Sequence, residues 1–395
     1  MIRVLTAGES HGPALVVVLE GVPAGLELST DEVASELARR RLGYGRGPRM
    51  RFEQDVVSFV GGVRHGRTLG SPIAIEVANT EWTRNPDKWG TEMSPAADDG
   101  PTRAPLTQIR PGHADLAGMQ KYGFTDARDV LERASARETA ARVAAGTIAK
   151  GLLAAIGVQI VSHVVQMGSA RATAGRRPLP DDLDRVDANE VRCLDEAAAA
   201  AMVEEIKVAA RDGDSLGGVV EVVAYGVPVG LGSHVHWDRK LDAALARSVM
   251  SIQAVKGVEI GDGFEVAGRR GSEAHDAVTW SADGGYQRSS SLAGGVEGGI
   301  STGEPVVVRA AMKPLATLNR PSLATVDVLS KEAGVSFKER TDVTAVPACG
   351  VVAEHMVALA LADEVTRKFG GDSVDELVRN HRGFLQALAD GPVGA

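Results

Sequence analysis

Glycine is the strongest constraint on how this chain can fold. It supplies 46 of the 395 residues, so the regular elements must be divided by many tight turns and the backbone must approach itself closely. The first division lies near the N-terminus, where Arg3 to Ala7 and Ala14 to Leu19 are short runs rich in Val and Leu. Between them stands the glycine-bounded Gly8-Glu9-Ser10-His11-Gly12-Pro13, which predicts strand, turn, strand. Ser29-Thr30-Asp31-Glu32 has the form of a capping box, followed by Val33, Leu37 and Ala38 on one face and by Gly43. A helix over 30–42 is expected. A second box, Ser135-Ala136-Arg137-Glu138, opens an alanine-rich segment to about Ala155, in which Ala140, Ala144, Ile148 and Leu152 recur at helical spacing; its small residues imply close packing. Helices are also expected over about 195–211, 239–252 and 350–368, and a strand from Pro305 to Met312. Thr80 to Pro111 and Met167 to Asn189 read as loops, the first of them either a surface insertion or an active-site lid. The tail after Leu388 should fray. Helices and antiparallel-looking strands mix without strict alternation, so α+β or a layered sandwich fits better than a doubly wound sheet. Length alone allows two or three domains.

A formal charge of −9 has the wrong sign for a protein held on nucleic acid or an acidic membrane, and 4% aromatics leave little ring surface for stacking bases. Cys193 and Cys349 stand alone, without the spacing of a metal site or a disulfide framework, and read as reduced thiols. No metal is expected. The start lacks a secretory pattern, and apolar stretches such as Val219 to Leu231 are interrupted by charge, Gly and Pro. No segment is therefore expected to span a bilayer, and the expected location is the cytoplasm.

Against that negative balance, Arg39, Arg40, Arg41, Arg46, Arg49 and Arg51 crowd together. The first three could simply face the negative end of their helix. Arg46 and Arg49 instead sit in Gly43-Tyr44-Gly45-Arg46-Gly47-Pro48-Arg49, where glycines let amides and guanidinium forks approach a phosphate or carboxylate. Gly8-Glu9-Ser10-His11-Gly12 also satisfies the G-x-S-x-G of a hydrolase nucleophile elbow, but Pro13 and the run Val16 to Val18 follow where a helix is required. Ser10 is thus not a nucleophile. His11 reads either as a proton donor or as a cap on its turn. Arg110-Pro111-Gly112-His113-Ala114-Asp115 offers a second histidine, with Asp115 near enough to orient its ring. Arg133-Ala134-Ser135 should lie at a helix N-terminus suited to an anion, and Gly294 to Ser301 suggests backbone packed against a flat ligand.

Taken in order, these motifs resemble the chorismate synthase family, in its actinobacterial form, over nearly the whole chain. The landmarks are Gly8 to Gly12, Arg40 to Met50, Arg110 to Asp115, Arg133 to Thr139, Gly217-Gly218, Gln253-Ala254, Gly294 to Ser301, Lys313-Pro314-Leu315-Ala316-Thr317 and Arg340-Thr341-Asp342. Ser291 and Thr302 stand where the family usually has Asn, and Thr341 where Ser is commoner. The resemblance implies one large β-α-β sandwich covering residues 1–395, assembled as a homotetramer. It also implies a lyase acting at the last common step of the shikimate pathway to aromatic amino acids. That reaction is an anti-1,4-elimination of phosphate from 5-enolpyruvylshikimate 3-phosphate to give chorismate, with reduced FMN required but no net redox change.

By the same resemblance, His11 is the general acid near the departing phosphate, His113 lies near the flavin ring, and Asp342 helps remove the proton. Ser10, Arg40, Arg46, Arg49, Arg133 and Arg340 bind the substrate. Arg133, Ala134, Ser135, Gln253, Ala254, Gly298, Lys313, Pro314, Leu315, Ala316, Thr317 and Arg340 hold FMN. Arg40 and Arg46 are the positions of NADPH contacts in some members, although no dinucleotide fingerprint follows a strand here. NADPH enters only as a possible reductant, intrinsic or through a separate flavin reductase. Two rivals are a redox enzyme with its own substrate, which would consume reductant, and a non-catalytic anion binder using the arginine cluster alone.

Overall fold

The computed structural model describes residues 1–47, 53–94, 103–282, 285–337 and 341–391. The N-terminal part is a four-stranded antiparallel sheet made of β1 (Arg3–Ala7), β2 (Ala14–Glu20), β3 (Val57–Gly61) and β4 (Ile73–Ala78), in the order β1-β2-β4-β3. Between β2 and β3 runs helix α1 (Thr30–Arg40), whose Ser29–Glu32 capping box forms as expected. Side chains alternate across a strand. Accordingly Leu15, Val17 and Leu19 of β2 and Ile73, Ile75 and Val77 of β4 are all buried on one face.

After β4 come α2 (Thr80–Arg84), α3 (Pro86–Glu92), α4 (Asp115–Tyr122), α5 (Arg128–Ala134) and α6 (Thr139–Ala154). The second sheet combines β5 (Gln159–Met167), β6 (Ala170–Arg171), β7 (Gly218–Tyr225), β8 (Val255–Ile260) and β9 (Val306–Met312), in the antiparallel order β8-β9-β7-β5-β6. Helices α7 (Leu183–Ala188), α8 (Glu196–Asp212), α9 (Leu241–Met250), α10 (Val346–Phe369) and α11 (Val374–Ala389) complete the named elements.

Helices α1, α6 and α10 lie between the two sheets: α6 packs on β2, and α10 on β5 and β7. This is the α+β, β-α-β sandwich expected. The alanines of α6 allow close contact with α10, and Gly146 marks the closest point, since a Cβ there would lie 2.3 Å from the Cβ of His355. The main apolar cluster joins residues from Leu15 to Leu377 across all three layers.

Helix α10 corrects one expectation, because it is long and apolar enough to cross a bilayer. It does not face lipid here. Almost all of it is buried between the sheets, and at its centre Glu354 accepts hydrogen bonds from Arg39 at 2.7 and 2.9 Å, Ser162 at 2.7 Å and Lys150 and Arg192 at 3.2 Å. Burial by itself would raise this carboxyl. The surrounding cations outweigh it and hold Glu354 well below the usual carboxylate range, as a buried charge requires.

The supposed loops also differ from expectation. Thr80 to Pro111 begins with α2 and α3, helices too short for their periodicity to be read. In Met167 to Asn189, β6 extends the second sheet, while Leu183 of α7 packs on Val161, Val223 and Val307 across the sheet's outer face. The tail's expected fraying lies largely outside the described residues, because α11 continues to Ala389.

Candidate active site

One end of the sandwich gathers the β1–β2 turn, the loop after α1, the α5–α6 junction and the segments after α9 and β9. Together with residues 110–114 and 341–345 they enclose a cavity of about 970 Å³. Gly8 makes the turn possible: its φ is +99°, and a Cβ there would lie 2.4 Å from the carbonyl of Ala14. Asn79 pins the turn by donating to the carbonyls of Glu9 (3.2 Å) and Gly12 (2.7 Å). The backbone N–H of Ser10 donates to the carbonyl of Glu132 at 3.0 Å, and the Ser135 hydroxyl donates to Ser10 Oγ at 3.2 Å. His11 Nδ1 donates to Glu132 Oε1 at 2.8 Å, and its ring stacks on Trp89 with centroids 4.2 Å apart. Trp89, Lys88 and Glu81 all line the cavity, so this part of the 80–111 stretch covers the site.

His113 is likewise locked by a carboxylate, its Nδ1 donating to Asp115 Oδ1. The other Asp115 oxygen takes Arg110 Nε at 2.9 Å and the Arg110 amide at 3.1 Å. Burial opposes ionisation of Asp115, but the hydrogen bonds from His113 and Arg110 prevail and hold the carboxyl well below its ordinary range.

The arginine cluster divides. Arg39 turns inward to Glu354, Asp187 and Glu36, and Arg41 donates to the carbonyl of Glu53 at 2.6 Å. Arg40 and Arg46 line the cavity. Arg40 approaches Thr139 Oγ1 at 3.4 Å and Asp55 at 4.0 Å. Arg46 Nη1 stands 3.2 Å from Asp342 Oδ2, while its Nε is buried with no hydrogen-bond partner among the described residues. Burial lowers the Arg46 pKa against the pull of Asp342, an environment that favours a second anion. Asp342 Oδ1 also accepts from the Gly47 amide at 2.5 Å. Residues 341–345 form no strand, and Asp342 pairs with Arg46.

The remaining expected positions are mostly here. Ala134, Ser135, Gln253, Ala254 and Lys313 to Thr317 line the same cavity. Gln253 donates to Glu138 Oε2 at 3.0 Å, Ala254 has a positive φ of 67°, and Lys313 Nζ donates to the Gly112 carbonyl. Two positions do not line it. Arg133 donates to the carbonyls of Thr6 (2.7 Å) and Gly8 (3.1 Å), so its guanidinium ties α5 to β1. It ends α5 rather than opening a helix. Ser135 caps only a single 3-10 turn, and Glu138 reaches Thr6 and Arg142 instead of closing the box. Gly298 is exposed in a short hairpin, and Gly294 and Gly295 pack against the backbone of Gly261 and Pro305. Arg49 and Arg340 lie outside the described residues.

Sequence reasoning missed Trp89, Glu132, Glu81 and Arg137. Arg137 is buried, donating to Asn79 Oδ1 at 2.7 Å and to Asp55. A tryptophan within a polar stretch was the one signal available for Trp89. Cys349 also lines the cavity, with burial pushing its thiol up to about 12, so it is an inert wall at neutral pH.

Comparisons with known proteins agree. A family model described as chorismate synthase matches residues 2–366. Chorismate synthase of Salinispora tropica is 62% identical over 395 residues, covering 98% of this chain and 99% of the relative. The enzyme of Streptomyces coelicolor is 62% identical over 394 residues, 98% of each chain. A crystal structure of chorismate synthase superposes with a TM-score of 0.77 at 38% identity, covering 99% of both chains.

Proposed function

The chain belongs to the chorismate synthase family of lyases, and from that premise we propose that it eliminates phosphate from 5-enolpyruvylshikimate 3-phosphate to give chorismate, with reduced FMN as cofactor. The observation that carries this reading is the cavity wall. In a chain of net charge −9, Arg40, Arg46, Arg110 and Lys313 line one cavity together with two histidines, each fixed by its own carboxylate. A substrate with two carboxylates and a phosphate needs such concentrated, desolvated cations.

The cavity volume of about 970 Å³ is at the upper end of the roughly 300–1,000 Å³ of small-molecule sites, which supports a flavin and a substrate together. The residues fit FMN. Ala134, Ser135, Ala254 and Pro314 to Ala316 offer small or apolar wall, Gln253 Oε1 is buried without a described partner, and Lys313 supplies a cation. Reduced flavin would lend electron density as the C–O bond breaks and take it back, which suits a weakly acidic hydrogen remote from the leaving group.

The chain's own groups do the rest. Arg40 and Arg46 hold anionic groups of the substrate, and Ser10 orients it by hydrogen bonding. His11 presents Nε2 to the departing phosphate as proton donor, and His113, held by Asp115, lines the same cavity as a second polar group. Asp342 Oδ2, beside Arg46, is the proposed proton acceptor. Arg40 and Arg46 remain the positions for an NADPH contact. A homotetrameric assembly and a single-domain architecture belong to the same proposal.

The test is anaerobic addition of 5-enolpyruvylshikimate 3-phosphate to protein with chemically reduced FMN, following chorismate absorbance and released phosphate. Both should appear together, and neither without reduced flavin.

A further inference from the structure

Among the cavity residues, Glu132 is the most tightly engaged with a proposed reacting side chain. It lies in the last turn of α5, far in sequence from the β1–β2 turn, and its side chain is 7% exposed. Both its oxygens address His11: Oε1 lies 2.8 Å from Nδ1, and Oε2 lies 3.1 Å from Nδ1 and 2.8 Å from the His11 backbone N. Its carbonyl takes the neighbouring Ser10 amide. One buried residue thus fixes the backbone of the turn and the angle of the ring.

A carboxylate only accepts, so Nδ1 carries the hydrogen in this contact. The opposite edge of the ring presents Nε2, which lies 3.9 Å from Glu81 Oε2. Trp89 covers one ring face at an interplanar angle of 23°, and a flipped ring would set a carbon against the Glu132 carboxylate. Among the described residues, the charged groups paired with His11 are Glu132 from α5 and Glu81 from α2. Lys88 and Arg103 lie over the Trp89 ring, at 4.2 and 5.5 Å from its centre.

We propose that Glu132 is a positioning residue: it selects the Nδ1-protonated form of His11, aims Nε2 into the cavity, and supports the imidazolium before its proton is given up. The inference rests on the reading of His11 as proton donor. A second-layer carboxylate of this kind orients and stabilises a working imidazole without touching the substrate.

The test uses the full chain with its histidines labelled with ¹⁵N, the His11 signal being assigned by its loss in His11→Ala. In the wild type the ring nitrogens should report Nδ1–H as the dominant neutral form. Glu132→Gln is nearly isosteric, but it removes the charge and, with its oxygen kept on the His11 backbone N–H, sets an N–H group where Oε1 lies 2.8 Å from Nδ1, a donor where the Nδ1-protonated ring needs an acceptor. It should show mixed tautomers, a midpoint of ring protonation at lower pH, and an alkaline limb of kcat/KM moved the same way. Its kcat should fall about ten- to a hundred-fold, part of the roughly 10²–10⁴-fold a positioned acid contributes, with KM changed far less. Wild-type tautomer, midpoint and kcat in Glu132→Gln, with His11→Ala inactive, would overturn the proposal while sparing the donor reading. Full turnover in His11→Ala would overturn the donor reading and the proposal with it. Should Glu132→Gln not fold, Glu132→Asp, which keeps the charge but shortens the reach, carries the same ring measurement.

Discussion

Arg46→Ala isolates the cationic wall. The guanidinium is almost fully buried, its Nη1 3.2 Å from Asp342 and its Nε without a hydrogen-bond partner among the described residues, so it holds donor capacity in reserve. Losing a desolvated charged contact costs about 2–5 kcal/mol, which is roughly a 30- to 5,000-fold loss of affinity. Removing Arg46 also leaves Asp342 facing an anionic ligand, which pushes the loss toward the upper end. The loop itself should survive, because the Gly47 amide still donates to Asp342 Oδ1. The assay is an anaerobic titration of 5-enolpyruvylshikimate 3-phosphate into protein with reduced FMN, with circular dichroism as the folding control. Repeating it in an Asp342→Asn background closes a double-mutant cycle. If Arg46 touches the substrate, its loss remains costly in that background. Unchanged affinity in Arg46→Ala, or a cost that vanishes once Asp342 is neutralised, would refute a direct role and leave Arg46 as the mere partner of Asp342.

Three further outcomes follow. His11→Ala and His113→Ala should each keep the wild-type circular dichroism yet lose kcat by about two to four orders of magnitude; lost structure in either would mark that histidine as a turn support. Glu354→Gln strands Arg39, Lys150 and Arg192 in the core and should cost about 3–5 kcal/mol, lowering the melting temperature by about 4–6 °C. Because Glu354 is held below its ordinary value, its stabilisation is fully present above about pH 4.3 and fades as pH falls further, so the melting difference between wild type and variant should shrink in acid. Gly146→Ala places a methyl within 2.3 Å of His355 Cβ and should destabilise by about 1–3 kcal/mol; an unchanged melting temperature would contradict the close crossing of α6 and α10.

The sequence made the local elements legible because their signals are local. The β1–β2 hairpin, the Ser29–Glu32 box and the alanine helix α6 all appear close to their expected bounds. The fates of Arg39, Arg40 and Arg41 were not legible: successive residues on a helix point about 100° apart, and only the packing of α1 decides which one meets Glu354 and which meets the cavity. Glu132 and Trp89 were hidden because their partner, His11, is distant in sequence. The pairing of Asp342 with Arg46 was hidden for the same reason. Family motifs placed most cavity residues together, yet they gave Arg133 a ligand role where its guanidinium is bonded to β1.

The central claim is that this cavity performs an elimination with no net redox change, and stoichiometry tests it most directly. Under anaerobic conditions, with FMN kept reduced by a measured amount of NADPH and a flavin reductase, chorismate and phosphate should form in equal amounts over many turnovers while reductant consumption stays at the level needed to charge the flavin once. Consumption of one NADPH per product, or phosphate release without chorismate, would contradict the claim and favour an oxidoreductase or a phosphatase.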